Sequence, residues 1–562
     1  MKDVDLFKQK TGKTIEELTR IPTIDETLAG MWKRISSGDN PFSLGFGADS
    51  MAWVSEVERE NLHIIGAPGS GKSRLLELFV RHDIDRLLEE ERQGIHPKDG
   101  RACGFCFIDP SENGDTIYKI LSYCAEVGFD RVLLIDPYLF NSHKKFPAIS
   151  LFGVDKTYWE SSTNYLVDAF RVLYEVADLS RTSYITTYLT ALFSILHYTD
   201  LTGAELIYFT DPPEKINKDG SGIAELIFYE KMRRLIYELA EKKIEDKFFP
   251  GHLREIARKH LADIQYAFKN IPNFKEEAGS TARRLNTLVT SSFLRMLFGH
   301  RNGIDFDWLI SEGWIILVNV DTGFGLGTLQ ARLLATVVIN KIIDSIKRLR
   351  EKGFNKPYYL YIDEAGQYVT HTLADILAHK RKIGLRTVLA HQFLGQLKDP
   401  LVKEAILNGT GIKCGFFIEN PGEREEVVKM LGYGGELSRE QVTFNLSDQN
   451  RQEMVVKLGK QPPMLVKVPD VPDAKGDVAA FLEKLFTDPH YYTLKDIKDD
   501  ERERFKAVSS KDSKGPQSAK KTDGKAARKT SVPGRVSRKP DEDLPPNDEA
   551  DRKDGKRKPL DI

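Results

Sequence analysis

Residues Gly66 to Ser73 read Gly-Ala-Pro-Gly-Ser-Gly-Lys-Ser, and they lie between LHII, an apolar run with strand character, and RLLELFV, a run with helical spacing. That pattern, G-x-x-x-x-G-K-[ST] set between a strand and a helix, constrains the fold more than any other feature of the chain, because its loop works only at the rim of a sheet. Gly69 and Gly71 let backbone N–H groups turn inward without side-chain obstruction, and the helix that follows adds positive potential. Gly66, Ala67, Pro68, Gly69, Ser70, Gly71, Lys72 and Ser73 are therefore expected to cradle nucleotide phosphates. Lys72 would reach the β- and γ-phosphates, and Ser73 would ligate Mg2+. The competing reading is a glycine-rich turn with no chemistry, which leaves the agreement of motif and context unexplained.

Five further runs have strand character: GFCFI before Asp109, RVLLI before Asp136, WIILVNV before Asp321, YYLYI before Asp363 and LRTVLA before His391. Together with NLHII they make six buried strands. Most are too far apart for hairpins and are separated by helical segments such as TLQARLLATVVINKIIDSIKRL, so the expected fold is α/β with a mostly parallel sheet and helices on both faces. Ligands in such sheets sit outside the carboxyl ends of the strands. Between about Tyr158 and Arg301 the strand signals stop and helical patterns replace them, which suggests an inserted all-α domain. The segment from Thr210 to Gly222 reads as an exposed loop within it.

Composition sets the remaining bounds. The chain has 562 residues, 41% hydrophobic, which excludes a wholly disordered polypeptide. No apolar run is long enough for a membrane span and the start lacks a secretory pattern, so a cytoplasmic protein is expected. With 82 Lys and Arg against 83 Asp and Glu, the chain has no global attraction for a polyanion, and any nucleic-acid contact must be local. From about Ala507 the chain is nearly free of large apolar residues and is expected to be a disordered tail. Its Lys511 to Pro540 stretch, with ten basic and two acidic residues, would either tether nucleic acid or keep the tail soluble. Cys103 and Cys106 form a C-x-x-C within a strand pattern, where their side chains point to opposite faces, so they read as buried small hydrophobes rather than zinc ligands. The four cysteines suit a reducing compartment.

A P-loop needs a second acid to organise the metal. Asp363, which follows the strand run YYLYI, is the candidate Mg2+ ligand, and Glu364 is the candidate group to polarise the attacking water. Taken alone, such an acidic pair could be a solvated turn. Beyond it, a helical pattern ends in Lys380, Arg381 and Lys382, and another strand ends in Gln392.

LHIIGAPGSGKS, YIDEAGQ and the KRKIG-x-RTVLAHQ segment resemble the motor motifs of type IV coupling proteins, the TraG/TraD-like DNA pumps of conjugation, within the FtsK–HerA superfamily of hexameric ATPases. The resemblance extends through NPFSLGFGADSMAWVSEVERENLHIIG, FIDPSENGD, RVLLIDP with FPAISLF, and SFLRMLFG to WIILVNVDTG. It runs from about Met31 to at least Gly411. It implies a RecA-like P-loop NTPase with a lead-in segment at 1–57, a motor domain split between 58–157 and 302–506, a helical insertion at 158–301 and a tail at 507–562. It further implies ATP and Mg2+ as cofactors, a hexameric ring, DNA (single-stranded, with duplex as the alternative) as cargo, and relaxase and secretion-channel proteins as partners. Gln392 would sense the γ-phosphate or position water. Arg381 would be an arginine finger reaching a neighbouring subunit, with Lys382 and Arg386 as alternatives; the plain reading of this cluster is a basic helix end.

Two departures stand out. The family pattern carries Lys-Gly after Asp-Pro, whereas Ser111 and Glu112 follow Pro110 here, so Asp109 reads as a structural or supporting residue. Family members commonly begin with transmembrane helices, so either a membrane partner recruits this chain to the inner face of the membrane or it represents a soluble branch. A related pump for DNA processing or for protein substrates, and an ATP-switched recruiting scaffold, are the alternative functions. Arg283 and Arg284 are weaker candidates for nucleotide or DNA contact.

Overall fold

The computed structural model describes residues 42–46, 51–54, 59–171, 189–206, 291–447 and 453–509, less positions 98, 101–102, 112–113, 153–157, 191, 195, 198–200, 324–325, 370 and 379–383. All six runs with strand character are strands. In chain order the described strands are β1 (Phe42–Phe46), β2 (Met51–Val54), β3 (Leu62–Ile65), β4 (Phe105–Asp109), β5 (Val132–Ile135), β6 (Lys145–Pro147), β7 (Ile315–Asn319), β8 (Tyr358–Ile362), β9 (Leu385–His391), β10 (Ile412–Gly415), β11 (Glu453–Leu458), β12 (Met464–Lys467) and β13 (Tyr491–Thr493). Every residue of β3, β4, β5, β7 and β8 is buried, as strands covered on both faces require.

Eleven strands form one sheet in the order β2-β1-β12-β11-β10-β3-β9-β8-β4-β7-β5. From β10 to β5 every pairing is parallel, whereas β11, β12, β1 and β2 continue the sheet antiparallel. The antiparallel extension was not among the six expected strands. The small β6 and β13 pair separately.

The described helices are α1 (Lys72–Arg92), α2 (Asp115–Val127), α3 (Pro137–His143), α4 (Trp159–Arg171), α5 (Ser292–Leu297), α6 (Phe306–Ser311), α7 (Thr328–Glu351), α8 (His371–Ala378), α9 (Pro400–Gly409), α10 (Pro421–Leu431), α11 (Arg439–Ser447), α12 (Val478–Leu485) and α13 (Leu494–Ser509). Crossover handedness assigns them to faces. The steps β3-α1-β4 and β4-α2-β5 run in one direction along the sheet, whereas β7-α7-β8, β8-α8-β9 and β9-α9-β10 run in the other, so right-handed connections place the two sets on opposite faces. The packing agrees, since α1 lies against α2, α7 against α4 and α8 against α9.

Parallel register brings the carboxyl ends of β3, β9, β8, β4, β7 and β5 to one rim: Ile65 is level with His391, Ile362 with Leu389, Ile108 with Ile362, and Asp109 with Asn319. Most of the expected helical insertion, together with Arg283, Arg284 and the Thr210 to Gly222 loop, lies outside the described residues, as does the chain beyond 509. Among the described residues no helix is long and apolar enough to cross a membrane. The four cysteines are buried free thiols.

Candidate active site

The loop after β3 is anchored on both sides. Gly66 N–H donates to His391 O at 3.3 Å, and Ala67 N–H donates to Phe417 O at 2.8 Å. Gly66 has no room for a side chain, because a Cβ there would lie 2.5 Å from Phe416 Cβ. Gly69 and Gly71, at φ 72° and 115°, occupy the left-handed region that the loop needs and that glycine enters without strain. α1 begins at Lys72 with no side chain capping its first turn. The Ser70 hydroxyl is buried without a hydrogen-bond partner. An orphaned hydroxyl within a loop at an uncapped helix start fits an oxyanion ligand.

Lys72 is buried and its ammonium donates to Gly66 O at 2.8 Å and Ala67 O at 3.1 Å. Burial lowers its pKa, against the opposing pull of Asp363 and Glu364. Both acids come from the turn after β8. Asp363 is buried, and its Oδ2 accepts from Ser73 Oγ at 3.2 Å. Burial, reinforced by the charges of Asp109 and Glu364, pushes the Asp363 carboxyl up to about 6, with Lys72 pulling the other way. A serine hydroxyl beside a carboxylate is the hard-oxygen pair that suits Mg2+, an ion that takes one or two protein ligands and fills the rest of its shell with phosphate and water. Among the described residues no group of three or more His, Cys, Asp or Glu could hold a metal.

Glu364 stands at φ 50°, ψ 42°, a left-handed conformation that costs a non-glycine residue about 1 kcal/mol or more. Its Oε1 accepts from Gln392 Nε2 at 2.8 Å, and its Oε2 accepts from Gln396 Nε2 at 3.0 Å. Gln392 immediately follows β9, which lies between β3 and β8 in the sheet. The structure thus brings together Lys72, Ser73, Asp363, Glu364 and Gln392 from three distant segments. Arg381, with Lys380 and Lys382, falls outside the described residues. Arg386 is the second residue of β9, level with Tyr359 and away from the rim.

Ser111, which departs from the family pattern, has a local role. Its N–H and Oγ donate to the two oxygens of Asp109 at 2.8 and 2.7 Å. Asp109 is buried, and burial raises its pKa despite these bonds. Two residues of the neighbourhood carried no sequence signal of their role. Gln396 lies on a short 3-10 turn (Leu394–Gln396), and His63 in β3 meets His391 in β9 directly beneath the loop, Nε2 to Nε2 at 2.9 Å.

No protein-family model and no curated protein sequence matches the chain. A solved structure of the bacterial conjugative coupling protein TrwB lacking its first 70 residues, in complex with sulphate, aligns over 80% of this chain and 94% of its own at 17% identity, with a TM-score of 0.50. The chain has the RecA-like fold of that coupling protein. TrwB in complex with ADP and Mg2+ aligns over 80% of this chain and 94% of its own at 17% identity and a TM-score of 0.49. VirB4 of Thermoanaerobacter pseudethanolicus aligns over 77% and 97% at 16% identity and a TM-score of 0.47.

Proposed function

We propose that this chain is a Mg2+- and ATP-dependent motor that delivers DNA to a conjugation-type secretion apparatus. The observation that carries the reading is the convergence of Lys72, Ser73, Asp363 and Glu364 on one sheet rim, with Ser73 and Asp363 in direct contact across 290 residues of chain. The coupling-protein fold directs that chemistry toward a secretion-associated ATPase.

The reaction is phosphoryl transfer to water. Ser73 and Asp363 would hold Mg2+, which when bound supplies positive charge to the β- and γ-phosphate oxygens. Lys72 leaves its two carbonyl partners for the phosphates and matches the charge that accumulates there. Glu364 orients a water and accepts its proton. Gln392, bonded to Glu364, reports nucleotide state to the rest of the subunit. Arg381 enters from a neighbouring subunit of a ring, which makes hydrolysis depend on assembly; such a finger contributes about 10³-fold or more in rate. DNA is gripped by a few donors per subunit and repeated contacts around the ring. Relaxase and channel proteins are the expected partners, and a separate membrane protein recruits the chain.

The test is ATP turnover by the purified full chain, with and without single- and double-stranded DNA, at concentrations that allow ring formation. The expected result is DNA stimulation, loss of nucleotide binding in Lys72→Ala, and retained ATP binding without turnover in Glu364→Gln. Slow hydrolysis indifferent to both kinds of DNA would overturn the motor reading in favour of an ATP-switched scaffold.

A further inference from the structure

Both oxygens of the Glu364 carboxylate are engaged by side chains of this chain, and one of those side chains has no role in the reading above. Gln396 Nε2 donates to Glu364 Oε2 at 3.0 Å, while Gln396 Oε1 accepts the Gln392 backbone N–H at 3.0 Å. Gln392 Nε2 completes the circuit by donating to Glu364 Oε1 at 2.8 Å. The circuit fixes the Gln396 amide without ambiguity. An N–H donor can face only the amide oxygen, and a carboxylate can face only the amide nitrogen, so a flipped amide would lose both bonds.

Two further features hold Gln396 in this place. Gly366, two residues past Glu364, packs so closely on it that a Cβ at 366 would lie 2.6 Å from Gln396 Cβ. Only glycine there lets the turn carrying Gln396 lie against the turn carrying Glu364. The Gln396 turn is also tied to α10, since Gly395 N–H donates to Glu423 Oε1 at 3.3 Å. Glu364 itself is kept in a left-handed backbone conformation that costs energy, which its surroundings must enforce.

We infer that Gln396 is a positioning residue for the hydrolytic reaction: it anchors the second oxygen of Glu364, so that the carboxylate presents its remaining lone pairs in one orientation rather than rotating about its last bond. This rests on Glu364 being the group that activates water. Gln396 acts only through Glu364, to which its amide donates. A carboxylate freed on one side still accepts a proton but meets the attacking water at the wrong angle. Misplacement of about 1 Å is enough to cost on the order of a hundredfold in rate.

The test compares Gln396→Ala, Gln396→Glu and Gly366→Ala in the full chain. Gln396→Glu keeps the shape and the acceptor for Gln392 N–H but removes the donor to Glu364, and Gly366→Ala displaces Gln396 without changing a polar group. Each is expected to lower kcat about 10- to 100-fold, with the KM for ATP and the affinity for a fluorescent ATP analogue within about twofold of the parent. In a Glu364→Gln background, Gln396→Ala should cost nothing further in single-turnover rate, because a residue acting only through Glu364 has nothing left to position. An unchanged or raised kcat in Gln396→Glu, or an undiminished loss in the Glu364→Gln background, would overturn the inference. If Glu364→Gln itself turns over normally, the reading of Glu364 fails instead, and the two failures are separable.

Discussion

The Ser73 hydroxyl donates a 3.2 Å hydrogen bond to the Asp363 carboxylate, joining the first turn of α1 to the end of β8. The loop that would bind phosphate and the acid that would hold its metal are therefore in contact through the chain's own atoms. The contact has an electrostatic cost, because Asp363 is buried beside two other carboxylates.

That cost predicts the behaviour of Asp363→Asn. The folded carboxyl titrates at about 6, above its unfolded value of about 3.9, so the folded chain keeps the proton longer. Stability then falls as pH rises from about 4 to 6, and the full penalty is present at neutral pH. Asparagine keeps an oxygen for the Glu364 N–H and removes the charge. Thermal melts at pH 7.5 should show the variant more stable by about 1–3 °C, with the difference gone near pH 4. Its Mg2+-dependent ATP turnover should fall by about a hundredfold or more.

The His63 and His391 pair predicts the opposite slope. Both rings are buried; burial and the neighbouring cations lower both pKa values, that of His391 to about 3. The folded chain holds them neutral, so it loses stability as pH falls below the unfolded value of about 6.5. Replacing both by leucine removes the titration and leaves no unpaired ring. Urea denaturation between about pH 4 and 6.5 should show the double variant losing stability less steeply than the parent, by about 1 kcal/mol per pH unit or more.

A buried ion pair links α1 to the strand that carries the acids. Arg59 donates to both oxygens of Asp83 at 2.7 and 3.0 Å, and Tyr361 of β8 bonds to Asp83 as well. Asp83→Ala leaves the Arg59 guanidinium buried without its carboxylate, which should destabilise the fold by about 3–5 kcal/mol. Asp83→Asn, which keeps one acceptor, should cost less. Equilibrium denaturation of the two variants checks both the size and the order.

The strands β3, β4, β5, β7, β8 and β9 were legible because each is a short, mainly apolar run, the pattern of strands covered on both faces. The parallel strand β10 and the antiparallel extension were not, because β10 carries Lys413, β11 carries Lys457 and β1 is interrupted by Gly45; each of these strands resembles a loop or a half-exposed segment when read alone. The same contrast holds at the site. Lys72 and Ser73 lie in a pattern with fixed spacing and Asp363 directly follows an apolar run, so each is found in one dimension. Gln396 and His63 act through neighbours that only the sheet order supplies, since β9 separates β3 from β8 and its end delivers Gln392 and the following turn to Glu364. Ser111 shows the reverse case. It breaks the family pattern, and its purpose appears only where its two donors meet Asp109.

The role proposed for Arg381 leads to a complementation experiment. If Arg381 completes a site on the adjacent subunit, Arg381→Ala and Glu364→Gln damage different halves of a shared interface. Each variant alone should be inactive, since every interface in its ring is defective. In an equimolar mixture, an interface formed by the Glu364 of an Arg381→Ala subunit and the Arg381 of a Glu364→Gln subunit is intact, and random assembly makes roughly a quarter of interfaces of this kind. ATP turnover should therefore reappear on mixing, at up to about that fraction of the parent rate. It should depend on total protein concentration in the way ring formation does. Mixing either variant with Lys72→Ala separates the alternatives further. Lys72→Ala supplies an intact finger but no functional site, so it should rescue Arg381→Ala and fail to rescue Glu364→Gln. Rescue of neither would place the cation within the same subunit, whereas undiminished turnover in Arg381→Ala alone would assign the role to Lys382.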